Sequence, residues 1–212
     1  MATASLVRAV GKLQPVGTTF LLCDIQERFR DVIWHFPQVI RTAKLMTAVG
    51  KHLQIPTLAT EQYPKAFGAT VAELDVANVE YPIPTFEKKL FSMITEDVKA
   101  KIAETPERKT FVLFGIEAHV CVQQTALDLL EQGYAVHVLV DGVSSQRAHD
   151  RAVALRRMEN AGAHLTTAES LVFMLLGGAS HPQFRTIAGL IKEHAAGTPS
   201  PFEELVKTNA AL

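Results

Sequence analysis

The chain has 212 residues, 48% of them hydrophobic and 20% charged, with a formal net charge of −1. That length suits one sizeable core, and the balance is that of a soluble globular protein without the basic excess that nucleic-acid binding requires. No apolar run approaches the roughly 18–20 residues that span a bilayer, and the two cysteines, Cys23 and Cys121, have no CxxC spacing, so neither a disulfide framework nor a structural zinc site is expected.

Residues 1–15 read as an extension ahead of the first strand. They carry Arg8 and Lys12 and no acidic residue, the composition of a weak mitochondrial transit segment. A reducing, cytoplasmic setting is the default expectation and a mitochondrial one the alternative. Apolar runs and helical patterns then alternate. Thr18–Cys23 reads as a buried strand. Phe36–Leu53 reads as a helix with Val39, Ile40, Leu45, Met46 and Val49 on or near one face, and Ile55–Thr60 as a second strand. Residues 62–68 form a loop, and Pro82–Glu87 a third strand shortened by its prolines. Thr95–Glu104 is a predicted helix with Thr95 as N-cap. Thr110–Phe114 is the fourth strand, Val120–Gln132 a helix, and Ala135–Val140 the fifth strand. A helix over Arg147–Asn160 ends near Gly162, a sixth strand covers Ala163–Thr167, and helices over Ala168–Leu176 and His181–His194 complete the pattern. The tail, 197–212, is polar and contains proline.

Six strands alternating with helices predict an α/β fold: a three-layer, doubly wound sandwich around a six-stranded parallel sheet. No segment reads as a linker, so residues 1–212 are expected to form a single domain. In the strand order 3-2-1-4-5-6, strands 1 and 4 are neighbours where the order reverses, and ligands bind beyond the strand ends at that point.

Three residues stand at this edge. Cys121 opens a helical pattern, where converging backbone N–H groups favour a nucleophilic thiolate; it reads equally well as a small buried hydrophobe. Asp24 leaves the core after Leu21, Leu22 and Cys23 and is placed to take and return a proton, or to serve as a solvated carboxylate or cap. A lysine ending the third strand, Lys88 or Lys89, would stabilise both charges, against the plain alternative of a surface lysine. Strand alternation puts Cys23 on the face opposite Asp24, in the core and without a catalytic role.

These residues lie within the strings LLCDIQERF, ATEQYPKAFG, FEKKLFSM, FGIEAHVCVQQTALDLLEQGY, VLVDGVSSQ and ESLVFMLLGGASHPQF, spread over residues 21–184. In them the chain resembles the isochorismatase-like cysteine hydrolases, a family that includes nicotinamidases and N-carbamoylsarcosine amidase. Within that family it is most similar to the isochorismatase domain-containing subgroup. The resemblance implies Cys121 as nucleophile, Asp24 as acid and base, and Lys88 rather than Lys89, because the family lysine stands four positions before a serine, here Ser92. It also implies a cis peptide at Ile116–Glu117, turning the Glu117 N–H toward that of Cys121 to form an oxyanion hole. The Glu117 carboxylate is expected to point away from the sulfur, since a like charge would disfavour a thiolate.

Gln26, Phe29, Tyr63, Phe91 and His119 are candidate pocket residues, each readable also as packing or surface. The Asp-x-His pattern of metal-dependent nicotinamidases is replaced by Thr60-Glu61-Gln62, so no metal is expected. Cys121 points away from isochorismatases proper, which lack the cysteine. No GxGxxG or GxxxxGK[ST] supports a nucleotide or flavin, and no cofactor is expected. What the resemblance leaves is hydrolysis of a small amide, carbamoyl or related acyl compound through a thioester. The expected partners are a small-molecule substrate and further copies of the chain in a homo-oligomer, with no nucleic acid and no membrane. The alternative is a non-catalytic binding or scaffold protein that keeps the fold.

Overall fold

The computed structural model describes residues 10–78 and 80–196. Most of the N-terminal extension and the tail, and with them the expectations placed on both, lie outside the described residues. Strands β1 (Thr18–Cys23), β2 (Thr57–Gln62), β3 (Thr85–Lys88), β4 (Thr110–Ile116), β5 (Ala135–Ser144) and β6 (His164–Thr166) make one sheet. Every pairing is parallel and the order is β3-β2-β1-β4-β5-β6, the doubly wound order expected.

The two faces follow from alternation along β1, which is buried at every residue. Phe20 and Leu22 pack into one apolar cluster with α1 (Phe36–Leu53) and the two helices Ala168–Leu176 and Phe184–Ala195 from the last third of the chain. Leu21 and Cys23 pack into a second cluster on the opposite face. That face is covered by α2 (Glu96–Ala103), α3 (Gln123–Glu131) and α4 (Ala148–Asn160). The helices of the first face are α5 (Ala168–Leu176) and α6 (Phe184–Ala195). Each fully buried large aliphatic or aromatic side chain in such clusters contributes about 1.5–3 kcal/mol.

Local chemistry sets the element ends. In α1, Val39, Ala43, Met46, Val49 and Leu53 recur at helical spacing and are buried. Pro37 is tolerated in the first turn, and Gln54 ends the helix in the left-handed region at φ 54°. Thr95 caps α2 as expected, its Oγ1 accepting from the Val98 N–H at 3.3 Å. β4 and β5 run past the apolar stretches that announce them, through Ile116 and Ser144, with a register shift between Leu113 and Gly115. Asp141 and Gly142, inside β5, interrupt its apolar pattern, so its far end is not readable from hydrophobicity.

The half-buried Asp141 and the buried His137 lie away from the sheet edge. The Asp141 carboxylate accepts the Ala168 N–H at 2.9 and 3.1 Å, capping α5; burial pushes its pKa up to about 6. His137 stacks near His164, ring centroids 4.8 Å apart, and burial, then His164, lowers its pKa to about 4. Between about pH 4 and 6, folded Asp141 keeps a proton that the unfolded chain has released, so its contribution to stability falls as pH rises. Folded His137 lacks a proton that the unfolded chain binds below about 6.5, so its contribution rises with pH over nearly the same window. Replacing Asp141 by Asn removes the opposing slope. Unfolding free energies from urea denaturation between about pH 4 and 6 should rise more steeply in Asp141→Asn than in wild type, by up to about 3 kcal/mol across the window; parallel curves would contradict this assignment.

Candidate active site

β1 and β4 run side by side, Cys23 opposite Gly115 at their carboxyl ends. Gly115 has φ +137°, and a Cβ there would lie 2.1 Å from the Cys23 carbonyl oxygen. Only glycine allows this approach, and it brings the elbow after β4 against the end of β1.

Asp24 follows β1 in the left-handed region at φ 51° and is 1% exposed. Its Oδ1 accepts the Thr60 hydroxyl at 2.8 Å, and its Oδ2 lies 2.7 Å from Lys88 Nζ, both side chains essentially fully buried. Lys88 Nζ also donates to Gln62 Oε1 at 2.6 Å and to the Phe91 and Leu90 carbonyls at 2.9 and 3.1 Å. Burial works against the lysine charge, but Cys23, Asp24 and Cys121 around it prevail, and the ammonium is held above the usual lysine range. Lys88, not the neighbouring Lys89, is thus the residue at the edge; Lys89 Nζ sits over the Tyr63 ring at 5.8 Å.

Cys23 corrects an expectation. Alternation placed its sulfur on the face opposite Asp24; instead the Cys23 thiol donates to Asp24 Oδ2 at 3.6 Å. The positive φ of Asp24 breaks the pleat, so the carboxylate turns back over the face that Cys23 already occupies. On that face burial, then Cys121 and the Asp24 charge, push the Cys23 thiol well above the usual range.

Cys121 lies in a wide turn over Ala118–Val122, in which the Glu117 carbonyl accepts the Val122 N–H at 3.2 Å, an i→i+5 bond, and the Val120 N–H at 3.0 Å. Such turns cluster at functional sites. The Ile116–Glu117 peptide expected to be cis is trans. The chain makes the strand-to-helix reversal through Gly115 and through Glu117 at φ 9°, ψ 91°, so the reasoning that aimed the Glu117 N–H through a cis bond does not apply.

Two further sets of contacts fix the elbow, and neither had a signal in the sequence. The Thr125 hydroxyl donates to the Cys121 carbonyl at 2.7 Å and accepts the Met93 N–H at 2.8 Å, tying the cysteine to the segment after Lys88. The Glu117 carboxylate accepts from Gln146 Nε2 and N at 2.9 and 3.3 Å and lies 3.4 Å from His119 Nδ1, which is also 3.0 Å from Ser145 Oγ. The carboxylate is therefore engaged with the loop after β5.

The expected pocket residues divide. Gln26 is wholly buried; its amide donates to the Gln62 and Gly68 carbonyls and accepts the Gln62 N–H. It braces two loops. Phe29 stacks on Phe67 with centroids 4.9 Å apart. Tyr63 and Phe91 are exposed, and His119 is one-third exposed beside the elbow. Among the described residues no group of three or more His, Cys, Asp or Glu gathers to hold a metal ion, and no helix is long and apolar enough to cross a membrane.

A parallel doubly wound sheet with a buried carboxylate–ammonium pair and two thiols at its switch point is the architecture of a small α/β hydrolase. The chain belongs to the isochorismatase family: the isochorismatase-domain model matches residues 18–170. It is 41% identical to isochorismatase domain-containing protein 2 of Xenopus laevis, over 90% of this chain and 91% of that one. It is 42% identical to isochorismatase domain-containing protein 1 of Salmo salar over 89% of this chain, and it spans only 66% of that protein's length. Among solved structures, a Caenorhabditis elegans protein described as MAR1 ribonuclease superposes with a TM-score of 0.83 at 39% identity, covering 90% of this chain and 96% of that one. The Escherichia coli YcaC product, described as an octameric hydrolase of unknown specificity, has a TM-score of 0.75 at 20% identity, covers 94% and 97%, and shares the fold.

Gly115→Ala tests the close approach on which this site depends. A side chain at that position should cost roughly 3–5 kcal/mol, from the disallowed backbone and the collision with Cys23. Chemical denaturation reads this directly, and an unchanged midpoint would show that β1 and β4 do not meet as described.

Proposed function

We propose that this protein is a cysteine hydrolase that cleaves a small amide, carbamoyl or related acyl compound. The observation that carries the reading is the buried Asp24–Lys88 pair at 2.7 Å, at the sheet edge where the elbow that bears Cys121 meets the end of β1. Asp24 takes the Cys121 proton while Lys88 balances the charges of carboxylate and sulfur. The thiolate attacks the substrate carbonyl. The developing oxyanion is received by the backbone N–H of Cys121 at the elbow. Such a donor contributes about 3–4 kcal/mol in the transition state. Asp24 returns the proton to the departing amine, and water then cleaves the thioester.

Tyr63, Phe91 and Phe29 supply apolar surface at the mouth, and His119 a polar edge. The two unpaired thiols support a reducing compartment such as the cytoplasm. The octameric description of the E. coli relative supports assembly of further copies around this chain.

Small amides and carbamoyl compounds, with RNA added because of the ribonuclease description of the C. elegans relative, should be tested against wild type and Cys121→Ala. Wild type is expected to turn over a member of the first group and to form a covalent adduct on the Cys121 sulfur by mass spectrometry. Cys121→Ala should lose at least about a thousandfold in rate with circular dichroism unchanged. A Cys121→Ala enzyme as active as wild type would refute the scheme.

A further inference from the structure

α1 and α6 pack on the sheet face away from Cys121, which belongs to the cluster on the other side. Between them, beside the segments that bear Arg30 and Glu73, lies a cavity of about 510 Å³. Its floor is apolar: Pro37, Ile40, Leu45 and Ala48 from α1 and Leu190 from α6. Its rim is charged. Arg30 and Glu73 satisfy each other through two bonds at 2.9 and 3.1 Å, so Arg41 and Lys44 on α1 outnumber the one remaining carboxylate, Glu193. At the same wall, His194 Nδ1 is shut off from solvent with no hydrogen-bond partner among the described residues. An apolar floor, a surplus of positive charge and an uncompleted buried nitrogen together suit an occupant that is apolar on one side and acidic on the other.

The described residues end at 196, directly after α6, and residues 197–212 follow. Their sequence holds a segment of this kind, Ser-Pro-Phe-Glu-Glu-Leu-Val over 200–206. Ser200, Pro201 and Glu203 have the spacing of a helix start, and helical spacing puts Phe202, Leu205 and Val206 on one face. Glu203 and Glu204 give the segment two negative charges. Leu190 lies only about 9 Å back along α6 from residue 196, and the six residues from 196 to 202 reach up to about 20 Å. We propose that segment 200–206 seats in this cavity of its own chain, with Phe202, Leu205 and Val206 on the apolar floor and Glu203 and Glu204 toward Arg41 and Lys44. The seated segment clasps α6 to α1 and covers the apolar floor. It does so whether or not Cys121 is a nucleophile.

The experiment places a photo-cross-linker in the full chain, Phe202→p-benzoylphenylalanine, irradiates the purified protein, and maps the products by denaturing gel and mass spectrometry. The expected product migrates as a single chain and joins position 202 to residues 37–48 of α1 or 190–194 of α6. A product that joins two chains would overturn the proposal in favour of a segment seated on a second copy. Cross-links elsewhere on the surface, or none to either helix, would overturn it outright. The charge fit is tested by Lys44→Glu in the same chain. This change should lower the yield of the expected product about threefold with circular dichroism unchanged, and adding Glu203→Lys with Glu204→Lys should restore it. A yield that neither change moves would overturn the placement of the two glutamates at that rim.

Discussion

A carboxylate and an ammonium, 2.7 Å apart and both shut off from solvent, set the terms for everything at the sheet edge. Taking each ion out of water costs several kcal/mol, and their attraction repays this only where other groups complete their hydrogen bonding. Thr60 from β2 does so for Asp24. Gln62, at the end of β2, and the carbonyls of Leu90 and Phe91 do so for Lys88. The pair therefore fastens the ends of β1, β2 and β3 into one arrangement, and the loops beyond them take their positions from it.

The pair is electrically neutral as a whole, and this shapes the chemistry beside it. A sulfur close to it feels an attractive lysine and a repulsive aspartate together. At Cys23, burial and the Asp24 charge prevail over Lys88, and the thiol stays protonated. Cys121 lies in the apolar cluster of the same sheet face, on an elbow positioned by Gly115, by the Thr125 hydroxyl and by the grip of Glu117 on Gln146. Proton transfer from Cys121 to Asp24 would leave Lys88 facing one negative charge throughout, now on sulfur instead of carboxylate. No net charge then has to be created in a dry site, which is the physical merit of having the lysine there.

The sheet and its strand order were legible because buried parallel strands are short apolar runs and the intervening helices are amphipathic. Thr18–Cys23 and Phe36–Leu53 coincide with the structural elements for that reason. Asp24 was legible as the end of a strand, whereas the end of the third strand left Lys88 and Lys89 open and only the family resemblance chose between them; the contact of Asp24 with Lys88 depends on β2 lying between β1 and β3. Cys23 was misplaced because alternation holds only while φ stays extended, and nothing in the string LLCDIQ announces φ 51° at Asp24. The cis bond came from family resemblance and not from any property of Ile116 or Glu117. The contacts of Thr125 with Met93 and of Glu117 with Gln146 join residues 32 and 29 positions apart, and no local pattern records such pairs. Gln26 was readable from its place near Asp24 as a pocket or a packing residue; the backbone partners of its amide are groups that only the folded loops bring to it.

A double-mutant cycle on Asp24 and Lys88 measures the interaction at the root of this account. Unfolding free energies of wild type, Asp24→Asn, Lys88→Met and the double variant give the coupling without any assumption about substrate. Removing either partner alone leaves the other buried and uncompensated and should cost about 3–5 kcal/mol. The double variant should lose far less than the two single losses combined, giving a coupling of at least about 2 kcal/mol. Losses that simply add, to within about 0.5 kcal/mol, would mean that the two charges do not sustain each other, and the site built on them would fail with them.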